Sequence, residues 1–233
     1  MVNRLGPQSA AGSEAADART RVLRAALELF SSKGFEGSGV RELALAAGVN
    51  HSLVLYHFGS MEGLWKAVVG ELFDEFRRRI AGRLAGLKGL DPVMLLRVRV
   101  EDFIRFSMEK PELHRIMTLE GRRRTPRLTW LVDTYLKPMF EETAAFMARG
   151  QAEGTIRPFD PALLYYAAIT LSAAPSAFAP EIQAVTGRST RNEATVGELL
   201  EMISTLVFTE NAKPPRHDQR KPRARRNRRA RAT

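Results

Sequence analysis

Apolar side chains recur every three or four positions along most of this chain, the period of amphipathic helices rather than of alternating strands. Residues 14–33 place Val22, Leu23, Ala26, Leu27, Leu29 and Phe30 in one stripe that stops at Gly34. A short stripe follows over residues 40–47, with Val40, Leu43, Ala44 and Ala47 on one face and Ser38 or Gly39 as its cap. Asn50 caps a third short helix ending near Phe58 and Gly59. Ser60 then caps a longer helix, in which Leu64, Val68, Leu72, Phe76 and Ile80 repeat about every fourth residue.

Proline and cap signals divide the remainder. Asp91-Pro92 pairs a cap with a proline suited to the first helical position, and that helix is expected to run to about Lys110. Pro111 opens another that ends by Gly121. Pro126 opens a helix expected to reach about Gly150, kinked at Pro138 because proline lacks the N–H of an interior turn. Asp160-Pro161 starts a helix expected to extend to Thr186-Gly187 around an internal proline, and a last helix spans about 192–208. The pattern predicts an all-α chain without a fixed-period repeat. It divides into a three-helix domain over 14–60, a larger helical bundle over 61–210, and a basic tail over 211–233. The tail carries no bulky apolar side chain and is expected to be disordered.

The third short helix lies within "GVNHSLVLYHFGSMEGL", Gly48 to Leu64, which is unusually rich in hydrogen-bonding side chains. Ala44 keeps the second helix small where the third crosses it. Gly48, four residues later, can take the positive φ of a tight turn, and Val54 packs the third helix back. Two short helices joined this way form a helix-turn-helix, whose second helix enters the major groove. Asn50, His51, Ser52 and Leu53 stand at the helix N-terminus, where such a helix meets base edges and phosphate. Tyr56 and His57 follow one turn later, at phosphate or groove-wall distance, and Arg41 can read guanine through two hydrogen bonds.

Charge alters this picture less than the total suggests. The net charge is +10, but residues 213–233 hold ten Lys or Arg against one acid, so the other 212 residues are nearly neutral. Across 14–60, five bases face five acids. The tail is therefore the candidate for sequence-independent phosphate contacts. With 44% hydrophobic residues the chain can bury a core, and without cysteine it has no disulfide or thiolate site. The start of the chain lacks the apolar stretch of an export signal, so a cytoplasmic location is expected. The uncharged run from Pro161 to Pro180 is long enough to span a bilayer, yet it is rich in Ala and Ser and flanked by acids, so a buried or interface helix is expected instead. No enzyme is indicated. The four histidines, 51, 57, 114 and 217, have no metal-ligand spacing, and neither a phosphate loop nor a nucleophile elbow is present. No cofactor or metal is expected.

From Thr20 to Leu64, through "AALELF…KGF", "VRELA", "AAGV" and "YHFGS…GL", the chain resembles the N-terminal domain of the TetR family of bacterial transcriptional regulators. That resemblance implies an all-α homodimer, with three helices on double-stranded DNA and a ligand-binding, dimerising bundle behind them. It places DNA contacts on Arg41, His51, Ser52, Leu53, Tyr56 and His57, with Ser38 at a phosphate. His51, Leu55 and Met61 depart from the family's usual Lys or Arg, aromatic and Lys, which removes positive charge from the DNA face. The resemblance also implies a small-molecule effector, hydrophobic in view of the aromatic content of the bundle. Phe103, Phe106, Met117, Trp130, Tyr135 and Tyr166 are the candidates to line its pocket, although sequence does not separate lining from filling. The helices over 160–187 and 192–208 are expected to pair with their symmetry mates, aided by Ala167, Ala168, Ala173 and Ala174. The implied function is a ligand-responsive, sequence-specific regulator: a repressor released from a palindromic operator. The alternative is a helical protein–protein adaptor without sequence-specific DNA binding.

Overall fold

A computed structural model describes residues 7–87 and 92–210 of the chain. Four helices form the N-terminal part: α1 (Pro7–Lys33), α2 (Val40–Ala47), α3 (His51–Phe58) and α4 (Met61–Ala85). Seven follow: α5 (Pro92–Glu109), α6 (Pro111–Glu120), α7 (Pro126–Leu131), α8 (Lys137–Ala152), α9 (Pro161–Ala177), α10 (Ala179–Thr186) and α11 (Glu193–Val207). Among the described residues the one β-type pairing is an isolated bridge between Ile156 and Phe208. The basic tail expected over 211–233 lies outside the described residues.

Side-chain caps open several of these helices, at Asn50, Ser60 and Asp160 as the sequence predicts. Asn50 accepts from the Ser52 amide, Ser60 from Gly63, Asp160 from Ala162 and Leu163, and Asn192 from Thr195. Each satisfies an amide that the first turn of a helix leaves without a partner. Gly63 has a role the periodicity did not reveal, because a Cβ there would overlap the Phe58 carbonyl oxygen.

Two expectations for long helices need correction. Residues 126–152 do not form one kinked helix. A π-helical turn, Val132–Leu136, separates α7 from α8. Pro138 cannot donate to the Thr134 carbonyl, and the Lys137 amide reaches back five residues to Val132 instead. Likewise the helix expected over 160–187 breaks at Phe178, and α9 and α10 meet at a bend of 67°. The break falls two residues before Pro180 rather than at Pro175, which stays inside α9. Among the described residues no single helix is long and apolar enough to cross a membrane; α9 and α10 reach that composition only as a bent pair.

Two apolar cores hold the bundle. The first joins Val22 and Phe30 of α1, Leu43 and Ala44 of α2, Val54 of α3, and Leu64, Trp65 and Phe76 of α4 to Phe106, Ile116, Leu131 and Tyr135. It does not stop at residue 60; the short helices and the start of the bundle share one packed interior. The second joins Leu96 and Ile104 of α5 to Met147, Leu164, Leu199 and Ile203. Fully burying one side chain such as Val54 is worth about 1.5–3 kcal/mol.

Candidate nucleic-acid interface and effector cavity

The turn between α2 and α3 has the geometry its sequence requires. Gly48 sits in the left-handed region at φ +64°, and the Val49 amide donates to the Ala44 carbonyl at 3.0 Å while Gly48 donates to Leu45 at 3.1 Å. This pair of bonds caps α2 without a side chain. Arg21 of α1 adds a third contact, its Nε donating to the Ala47 carbonyl at 3.2 Å. Ala44, Ala47 and Val54 are buried beneath, so α3 is held against α1 and α4 by its inner edge.

What remains on the outside is accessible and mostly polar, with Leu45 and Leu55 exposed among it. Arg41, His51 and Ser52 are exposed, and Tyr56 is 82% exposed. Leu53 and His57 are half-buried, and His57 packs edge-on against both Tyr56 and Phe58. Asn50 uses its side-chain oxygen as the cap, which leaves its amide group to donate outward. Ser38 is already engaged: its hydroxyl donates to the Gly34 carbonyl at 2.7 Å, and its amide donates to Phe35. Leu45, 84% exposed on α2, was missed by the periodic reading. The signal was its position off the Val40, Leu43, Ala44 and Ala47 stripe.

Several nearby cations are neutralised. Arg19 pairs with Glu71, Arg21 with Asp17, Lys33 with Glu42 and Lys66 with Glu62. Among the described residues Arg24 and Arg41 have no carboxylate partner. Positive charge at this surface is thus concentrated on very few side chains.

Behind this unit lies a cavity of about 460 Å³ between α4, α5, α8 and α9. Its wall includes Phe76, Leu96, Phe103, Tyr135, Met147 and Tyr165. Of the side chains expected to line a pocket, Phe103 and Tyr135 do so. Phe106 is fully buried against Phe76, Met117 packs on the first core and Trp130 meets Trp65 edge-on, so all three fill space instead. Tyr166 is 59% exposed on the outer face of α9, while its neighbour Tyr165 turns inward. Burial pushes the Tyr165 phenol up to about 12. The sequence reading also missed three charged residues of the wall, Arg77, Arg99 and Glu142. They fall in register with apolar lining positions on α4, α5 and α8, the signal that could have found them.

One arginine of the bundle reaches the DNA-reading unit. Arg127 of α7 pairs with Glu120 at 3.2 Å and with Glu36, in the loop before α2, at 2.9 Å. Its guanidinium lies 3.7 Å from the Phe35 ring centroid and 5.9 Å from that of Trp65. The π turn that follows α7 carries Thr134 and Tyr135 into the cavity wall. The cavity and the loop leading into α2 are therefore joined through one short segment.

Two family models match the chain in succession. Residues 22–68 match the family model of bacterial regulatory proteins of the tetR family, and residues 84–213 match that of the C-terminal region of YcdC-like proteins. The chain is 28% identical over 191 residues to the HTH-type transcriptional regulator RutR of Escherichia coli K12, covering 80% of this chain and 87% of RutR. It is 33% identical over 141 residues to the regulatory protein RaaS of Mycobacterium tuberculosis, covering 60% of each. The solved ketosteroid transcriptional regulator KstR2 of Mycobacterium tuberculosis shares the fold at a TM-score of 0.65 and 18% identity, over 82% of this chain and 95% of KstR2. A glycine-hinged helix pair with its polar edge outward, packed on a cavity-bearing helical bundle, makes this chain a DNA-binding transcriptional regulator of the TetR family, to which it belongs.

Proposed function

We propose that the protein is a homodimeric repressor that leaves a palindromic operator in the cytoplasm when a small, largely apolar effector enters the cavity. The domain that reads DNA is assigned to residues 14–60 and the effector-binding and dimerising domain to 61–210. Arg41, Asn50, His51, Ser52, Leu53, Tyr56 and His57 form the DNA face, with Leu45 beside them and Ser38 at its edge. The observation that carries this reading is the continuous core beneath α3, which connects an outward-facing recognition helix to the wall of the cavity. An effector that favours one spacing of the two recognition helices shifts the dimer toward that spacing, through α4 and through the Arg127 contact.

The dimer surface is assigned to α9 and α11. Leu163 and Tyr166 of α9 and Met202 of α11 are large, apolar and mostly exposed in the single chain. Ala167, Ala168, Ala173 and Ala174 are half-buried and allow close helix approach.

Selection of bound fragments from genomic DNA tests the proposal. The expected product is one short palindrome, its half-sites separated by a whole number of helical turns. Retention of all fragments alike, or of none at low salt, would leave the adaptor reading in its place.

A further inference from the structure

The wall of the cavity is largely apolar with a few hydroxyl side chains, and its charged residues form one cluster. Arg77 and Glu142 are exposed and Arg99 is half-buried, so the cluster stands where the cavity opens to solvent. Arg99 donates one hydrogen bond, from Nη2 to Glu142 Oε1 at 2.5 Å. A guanidinium carries five N–H donors. The Nε–H of Arg99 is buried and finds no acceptor among the described residues, and its guanidinium carbon lies 5.1 Å from the Phe146 ring centroid. Arg77 has no carboxylate within salt-bridge distance among the described residues. Among the lining side chains two cations thus face one carboxylate, while Asp74, one turn before Arg77, acts on the Tyr135 phenol from behind the wall.

Such a wall selects a particular ligand. An apolar body gains by leaving water for Phe76, Leu96, Phe103 and Met147. A neutral apolar ligand would leave the Arg99 Nε–H unpaired, which a buried donor does at a cost. A carboxylate accepts from a guanidinium through charge-assisted hydrogen bonds, and the unpaired Arg99 Nε–H offers one. A cation would be repelled by both arginines. We infer that the effector is an amphipathic monocarboxylate, its apolar part inside the cavity and its head group on Arg99 and Arg77. This deepens the assignment of the cavity as the effector site and rests on it. Glu142 competes with the ligand for Arg99 and repels it, so it sets the threshold at which the acid binds.

Calorimetric titration of the DNA-free protein with matched pairs tests this: decanoate against decanol, and naphthoate against naphthylmethanol. At least one acid is expected to bind tenfold or more tightly than its alcohol, equivalent to about 1.4 kcal/mol. Arg99→Met is expected to abolish that preference, and an unchanged thermal unfolding midpoint shows that the variant is folded. Glu142→Gln is expected to tighten the acid several-fold and leave the alcohol alone, an effect a purely structural residue would not produce. Alcohols binding as tightly as acids, no binding by any of the four, or weaker acid binding by Glu142→Gln would overturn the inference. A gel shift on the same preparations reads the regulator assignment separately. Loss of DNA binding there with acid preference intact would count against that assignment and not against this one.

Discussion

Arg41 stands exposed on the first turn of α2 with no carboxylate partner among the described residues, so its donors are open to a base edge. If it reads guanine, Arg41→Ala costs about 1–3 kcal/mol of operator binding and relaxes preference at one base pair. Competition binding with single-base operator variants checks this, since a loss equal on every sequence would make Arg41 a phosphate contact. A second residue governs stability. His114 is buried, its Nε2 lying 2.8 Å from the Ser107 hydroxyl, and burial pushes its imidazole from an ordinary value of 6.5 down to about 4. The unfolded chain therefore takes up this proton first as pH falls, and the folded state loses ground between pH 6.5 and 4. The gap is worth about 3 kcal/mol. Urea unfolding at both ends of that window should show a smaller loss for His114→Gln by this amount, because acidic groups contribute alike to both proteins.

At the scale of elements, prolines and buried charge decide more than helix propensity. Pro138 and Pro180 are each followed by ordinary helix, and the disruption appears a few residues earlier, where carbonyls lose their donors. The π turn so produced sits between the cavity and Arg127, whose pairing with Glu120 is almost wholly shielded from water. Breaking such a pair from one side strands the other charge. Arg127→Met is accordingly expected to lower stability by about 3–5 kcal/mol, and adding Glu120→Gln to restore a large part of it. Chemical denaturation of the single and double variants measures both; equal stability of the two would show that Glu120 keeps other support.

At the scale of the whole molecule, the proposed dimer sets the affinity for an operator. Leu163 and Met202, more than half exposed in the single chain, are assigned to the surface between copies. Leu163→Glu with Met202→Glu should place like charges across the two-fold axis and yield a monomer by sedimentation. Losing the linked second half-site should weaken operator binding by about 10²–10⁴-fold, without change at the recognition helix. A double variant that remains dimeric would move the interface elsewhere on the bundle.

The line between what was legible and what was not follows the range of the interactions. Helix starts, the Asn50 and Ser60 caps, the Gly48 hinge and the stripe ending in Val54 could be read directly, because each depends on groups within about six residues of one another. That was enough for the all-α class and the helix-turn-helix, and the family motif lies within the same span. Assigning Phe103 to the cavity and Phe106 to the core, or Tyr165 inward and Tyr166 outward, required the rotation of each helix against its neighbours. Partners distant in sequence set that rotation. The same packing placed Arg99 and Glu142 at the mouth of one cavity, 43 positions apart along the chain. Local geometry thus wrote the DNA-reading unit into the sequence itself, while the chemistry of the cavity exists only once α4, α5, α8 and α9 have closed around it.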